Sequence, residues 1–132
     1  MANFDQTHAN NILAGSTGQG SFTATTGPIH VRLMTVNGSA TANGTELTTG
    51  GGYTSGTGAP TVTFASASAG SIASNSAVTV TNMPACTIVG IELWDSTGSP
   101  ARKWQGALTS NKTVNSGDTF TIGSASLTLA LA

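Results

Sequence analysis

The sequence predicts an all-β protein: an antiparallel β-sandwich, jelly-roll-like, with seven or eight short strands and a short N-terminal arm. Three observations carry that prediction. Ala, Gly, Ser and Thr fill 73 of 132 positions, leaving few large side chains for a thin core. Hydrophobic residues recur with period two in short runs separated by polar turns, the signature of half-buried strands. Charged residues make up 7% of the chain and the net charge is −1. The strong like-charge repulsion that accompanies many disordered sequences is therefore missing. The length suits one domain. We divide it into an arm with a glycine-rich joint over residues 1–20 and a β-sandwich domain over residues 21–132.

In the arm, Thr7 precedes His8 to Ala14, a run that reads as an N-capped helix of about two turns ending at Gly15. Gly15 to Gly20 reads as a flexible joint, and the arm itself either as a frayed terminus or as a segment that orders against a neighbouring subunit. Phe22 to Thr25 could add an eighth strand if it found a partner. Ile29 to Val36 alternates Ile29, Val31 and Leu33 on one face with His30 and Arg32 on the other, and Asn37-Gly38 closes it as a turn. The polar stretch from Ser39 to Pro60, which contains Gly50-Gly51-Gly52-Tyr53, reads as a long loop.

Strand patterns return at Thr61 to Ala65, Ala77 to Thr81 and Thr87 to Trp94, the last being the most apolar. Asp95 to Pro100 is a turn. Lys103 to Thr109, Thr119 to Ile122 and Leu127 to Leu131 complete the set, with no fixed repeat of the kind that marks a solenoid or propeller.

Composition narrows the function. Four basic residues cannot build a nucleic-acid footprint. No apolar run approaches the roughly 20 residues of a membrane span, and Met1 to Asn11 lacks the layout of a secretory signal. The single Cys86 excludes an intrachain disulfide and reads as a small buried residue. His8, His30 and five scattered carboxylates suggest no metal site, and no cofactor motif is present. Asp95-Ser96-Thr97-Gly98 places its glycine one residue too far for an aspartic-protease turn and has no second copy. No enzyme is expected. So low a surface charge suits a chain that lives in an assembly.

The remaining polar oddities are few. Glu92 lies in the most apolar strand, where pairing with Arg32 across a sheet would satisfy it; an intersubunit pair is the alternative. His30 reads as a solvent-side or interface residue. Trp94 and Trp104 flank one turn and are expected near each other on adjacent strands. With Tyr53 they form a candidate interface or ligand patch, since aromatic residues serve both interfaces and carbohydrate platforms. A structural pair covering one end of the thin core is the alternative.

Several ordered segments carry a resemblance. Thr45-Glu46-Leu47-x-x-Gly50-Gly51-Gly52-Tyr53, Val62-Thr63-Phe64, Ala77-Val78-Thr79 and the strand ending Leu93-Trp94-Asp95 resemble runs in small tailed-bacteriophage structural proteins. So do Lys112-Thr113-Val114-Asn115-x-Gly117-Asp118-Thr119-Phe120 and Leu127-Thr128-Leu129-x-Leu131. Such proteins are often labelled tail fibre proteins, and some relatives are head decoration proteins. The resemblance covers about Glu46 to Leu131.

It implies a virion protein made in the bacterial host cytoplasm. The first expectation is a capsid decoration, or cement, protein on the outer capsid surface. As a homotrimer it would bridge major capsid protein subunits through many modest contacts multiplied by symmetry. Phe4, Thr7, His8, Ile12 and Leu13 of the arm are then the candidate capsid contacts. The second expectation is a tail fibre or receptor-binding accessory module that recognises host surface carbohydrate through Tyr53, Trp94 and Trp104. Neither expectation involves nucleic acid, a membrane or a cofactor.

Overall fold

The computed structural model describes residues 3–131. Along the chain run β1 (Asn3–Phe4), α1 (Gln6–Ser16), β2 (Ile29–Val36), β3 (Thr45–Glu46), a single 3-10 turn (Gly56–Gly58), β4 (Thr61–Val62), β5 (Ser71–Ala73) and β6 (Val78–Val80). Then follow β7 (Cys86–Trp94), β8 (Arg102–Val114), β9 (Phe120–Ile122) and β10 (Thr128–Ala130). All pairings are antiparallel. One sheet has the order β1-β8-β7-β2-β3, with β4 also on β2, and two ribbons pair β10 with β5 and β6 with β9.

The core explains the sandwich-like arrangement. Val31, Leu33, Ile91 and Leu93 of the large sheet join Val78, Val80, Phe120 and Leu129 of the ribbons in one buried cluster. Period-two alternation places these side chains on facing surfaces, where burial of each large one contributes about 1.5–3 kcal/mol. The strands β2 and β7 are central and covered on both faces: Met34 is 1% exposed although it alternates with Leu33, and Glu92 on the same face is equally buried. Accessible surface amounts to 6921 Å², against about 6300 Å² for a typical monomer of this mass. The small side chains leave the fold more open than average.

The fold class matches the sequence reading, with ten strands among the described residues in place of seven or eight. The additions β1, β3 and β5 are two or three residues long, too short to show a period. Residues 22–25 form no strand. The helix begins two residues earlier than expected and Thr7 does not cap it. Asp5 is the N-cap, its Oδ1 accepting hydrogen bonds from the Thr7 and His8 backbone N–H groups at 2.9 and 3.4 Å. A carboxylate in that position also suits the positive end of the helix dipole.

The 39–60 stretch is tied down by its own contacts. Gly50 and Tyr53 exchange two backbone hydrogen bonds of 3.0 Å, and the Gly52 N–H donates to the Asn82 carbonyl at 2.7 Å. A Cβ at Gly52 would collide with the Thr81 carbonyl oxygen, so the backbone itself approaches the turn after β6. That approach accounts for the glycine run before Tyr53. Cys86 is half-buried rather than buried, lying against the edge of the core.

Candidate functional site at the helix–sheet seam

The arm meets the sheet at Arg102, whose side chain is 2% exposed. A buried guanidinium is tolerated only when its five N–H groups find acceptors, and here they do. Nε and Nη2 donate to Asp5 Oδ2 at 3.1 and 2.8 Å, and Nη2 also reaches the Ser39 carbonyl at 2.7 Å. Nη1 donates to Glu92 Oε1 at 3.0 Å and to the Ala42 carbonyl at 2.8 Å. Glu92, itself 1% exposed, accepts further bonds from Gly44 N–H and Trp94 Nε1 at 2.7 and 3.0 Å. One cation thereby ties together the arm, the loop after β2 and the centre of the sheet.

The expected partner of Glu92 is therefore corrected. Arg32 stands opposite Glu92 in the β2–β7 register, yet Glu92 pairs with Arg102. The cause is an irregularity between Leu93 and Trp94 that sets Trp94 opposite Arg102, bringing the Arg102 side chain to the Glu92 face. Arg32 turns elsewhere, lying 3.8 Å over the Trp94 ring and 3.6 Å from Glu46 Oε2. Its Nε is buried without a hydrogen-bond partner among the described residues.

The three aromatic residues of the expected patch are not brought together. Tyr53 is 1% exposed; its hydroxyl accepts from Leu33 N–H at 3.1 Å and donates to Glu46 Oε1 at 2.7 Å. Burial, with Glu46 beside it, pushes the phenol well above its ordinary range. Tyr53 is a core residue with a polar handle, not a surface for ligand. Trp104 pairs with Leu93, and Trp94 with Arg102, so the tryptophans occupy adjacent strands but opposite faces. Trp104 is covered by Phe4, ring centroids 3.7 Å apart.

The arm residues also divide. Phe4 lies against Trp104, and His8 is 8% exposed, near both Phe4 and Phe22. Ile12 is half-buried and Thr7 exposed, while Leu13 is 62% exposed. His30, half-buried, donates from Nδ1 to the Ala59 carbonyl at 2.8 Å.

Between α1 and the turn after β7 lies a cleft of about 380 Å³, lined by Thr7, His8, Asn11, Asn43, Trp94 and Lys103, with Asp5 and Arg102 beneath. Its charges are internally spent. Lys103 Nζ sits 3.1 Å from Asp95 Oδ2, and Arg102 is shared between two carboxylates. Burial opposes ionisation of Asp5, but Arg102 and the two capping N–H groups outweigh it and hold the carboxyl below its ordinary value. Asp95 is held low in the same way, burial being outweighed by Ala101 N–H, Lys103 and Thr97. For His8, burial and the nearby Lys103 charge lower the pKa. Such a cleft offers amides, a hydroxyl and an indole to a neutral, hydroxyl-rich ligand, and little to an anion. The sequence does not single out Asn11, Asn43 or Lys103 as site residues, because the cleft arises from folding the arm against the sheet.

The chain is an antiparallel, sandwich-like β fold of low charge, and no cluster of three metal-binding side chains is found among the described residues. Comparison with protein families places the chain more narrowly. It matches the family described as Podophage GP4 fiber I protein gp80 over residues 3–130, and so belongs to that family. No curated protein matches the chain.

Proposed function

We propose that this chain is a tail-fibre subunit or accessory module that engages neutral sugars of the host surface through the cleft at the helix–sheet seam. The membership in a fibre family supports the tail over the head. The single observation that carries the sugar reading is the cleft itself, about 380 Å³ with Asn11, Asn43 and Trp94 in its lining and its ion pairs closed internally. Sugar sites combine aromatic surface with amide and hydroxyl groups that fix orientation. The role is binding and scaffolding, without catalysis.

The test is binding of purified host surface polysaccharide, and of a neutral glycan array, to the wild-type chain and to Asn11→Ala and Asn43→Ala. Binding by the wild type that falls about tenfold in each variant, with unchanged circular dichroism, supports the reading. Equal binding by all three, or none by the wild type, overturns it. A capsid decoration role is the second reading, favoured by the exposed Leu13 on α1; under it, wild-type chain binds isolated heads and Leu13→Asp does not.

A further inference from the structure

Trp94 stands apart from the core. Trp104 packs against the buried cluster, whereas Trp94 is no part of it and lies half-buried on the opposite face of the large sheet from Leu93. An indole ordinarily goes where its large apolar area is buried among other apolar groups. Here polar groups hold it instead. Its Nε1–H donates to Glu92 Oε2 at 3.0 Å, a bond in the plane of the ring. The Arg32 guanidinium lies 3.8 Å from the ring centroid, over one face. The first contact fixes rotation of the indole within its plane, and the second fixes the tilt of that plane.

Arg32 is available for this role because other donors have taken Glu92. Arg102 Nη1 and the Gly44 N–H reach Oε1, and Trp94 reaches Oε2. Arg32 is left with Glu46 Oε2 at 3.6 Å, and its Nε has no hydrogen-bond partner among the described residues. A guanidinium so placed gives up hydration without a short ion pair in return. Attraction to the indole face is its main compensation, so each of the two side chains fixes the other. Arg32 does not line the cleft, whereas Trp94 does. The part of the indole that borders the cleft is therefore not the face under Arg32.

We propose that Trp94 is the platform on which the cleft stacks one pyranose ring, and that Arg32, from outside the cleft, is the positioning residue that holds the platform still. The inference rests on the sugar reading above and narrows its ligand to a neutral pyranose with an open C–H face. In a ring whose substituents are mainly equatorial, the C–H groups gather on the faces and the hydroxyls point outward from the edge. The apolar face suits the indole, and the edge hydroxyls suit Thr7, Asn11 and Asn43 in the cleft wall. The cleft, about 380 Å³, lies near the lower end of the roughly 300–1,000 Å³ of small-molecule sites. It suits a short stretch of sugar. An indole already held in place loses little freedom when the ligand arrives, which favours binding.

The experiment titrates the full chain with purified host surface polysaccharide. Calorimetry compares the wild type with Trp94→Leu, Arg32→Lys and Glu46→Gln, and circular dichroism checks that each is folded. Emission and anisotropy are read in a Trp104→Phe background, where Trp94 is the one remaining tryptophan. The polysaccharide is expected to move Trp94 emission to shorter wavelength, and Trp94→Leu to weaken binding at least about tenfold. Arg32→Lys is expected to weaken it about three- to tenfold and to lower Trp94 anisotropy before any sugar is added, since an ammonium cannot lie flat on the ring. Glu46→Gln disturbs the ion pair of Arg32 but keeps an acceptor for Tyr53 and Gly56, and should bind like the wild type. Polysaccharide binding that leaves Trp94 emission unchanged, or that persists undiminished in Arg32→Lys, overturns the inference and leaves the sugar reading standing. An equal loss in Glu46→Gln and Arg32→Lys overturns the role of the stack. No binding by the wild type overturns both the inference and the sugar reading.

Discussion

The Arg102 guanidinium and the Asp5 carboxylate, 97 residues apart in sequence, meet at 2.8 Å. That contact fixes the arm to the sheet and shapes the cleft proposed to bind sugar. It is reinforced by the stacking of Phe4 on Trp104 and by the Asp5 N–H, which donates to the Lys103 carbonyl at 3.0 Å. The arm is thus held by three different kinds of interaction made by two adjacent residues, Phe4 and Asp5.

Replacing Arg102 with Met strands Glu92 as a buried charge and removes the clamp on Asp5. Breaking a buried pair in this way costs about 3–5 kcal/mol. Urea denaturation should show the loss as a lower midpoint with unchanged slope. Arg102→Lys is expected to recover little, because an ammonium has three donors where the site uses five.

Acid should loosen the arm before it unfolds the sandwich. The folded-state pKa of Asp5 lies below its ordinary value of 3.8. Its contribution is therefore present above that value and is lost as pH falls through the folded pKa. His8 acts at higher pH: with its pKa below 6.5, stability is full above 6.5 and falls as pH drops through the folded value. Trp104 fluorescence, reporting the Phe4 contact, should follow both steps. Asp5→Asn should remove the lower one.

Tyr53→Phe leaves Leu33 N–H and Glu46 without the hydroxyl that joins them, at about 1–3 kcal/mol. Thermal unfolding should shift downward while sugar binding stays intact, because Tyr53 lies in the core. Gly52→Ala is a second lesion at the same place. Its Cβ meets the Thr81 carbonyl, so a soluble but destabilised chain, by about 1–3 kcal/mol, is expected in the same measurement.

Period two made the long strands legible, since Val31 and Leu33 or Ile91 and Leu93 declare one face without any partner in view. The two-residue strands were hidden, because pairing of Asn3–Phe4 with Gln105 and Trp104 is decided by the sheet and not by the arm. Glu92 was recognised as needing a cation, and Arg32 does stand opposite it in register. The irregularity between Leu93 and Trp94 redirected the pair to Arg102, and no local sequence feature announces it. The aromatic patch failed for other reasons: Trp104 stands opposite Leu93, so alternation puts it on the other face from Trp94, and Tyr53 is drawn into the core. The cleft was illegible for a different reason. It lies between segments such as Thr7, Asn43 and Lys103 that only the folded arm brings together.

The most direct test of the fibre assignment is immunogold electron microscopy of the parent virions with an antibody against this chain. Gold confined to the tail fibres is the expected result, and would send the work next to the cleft and the host glycan. Gold spread over the head surface would contradict the tail assignment and restore the decoration role, with Leu13 as the first residue to change.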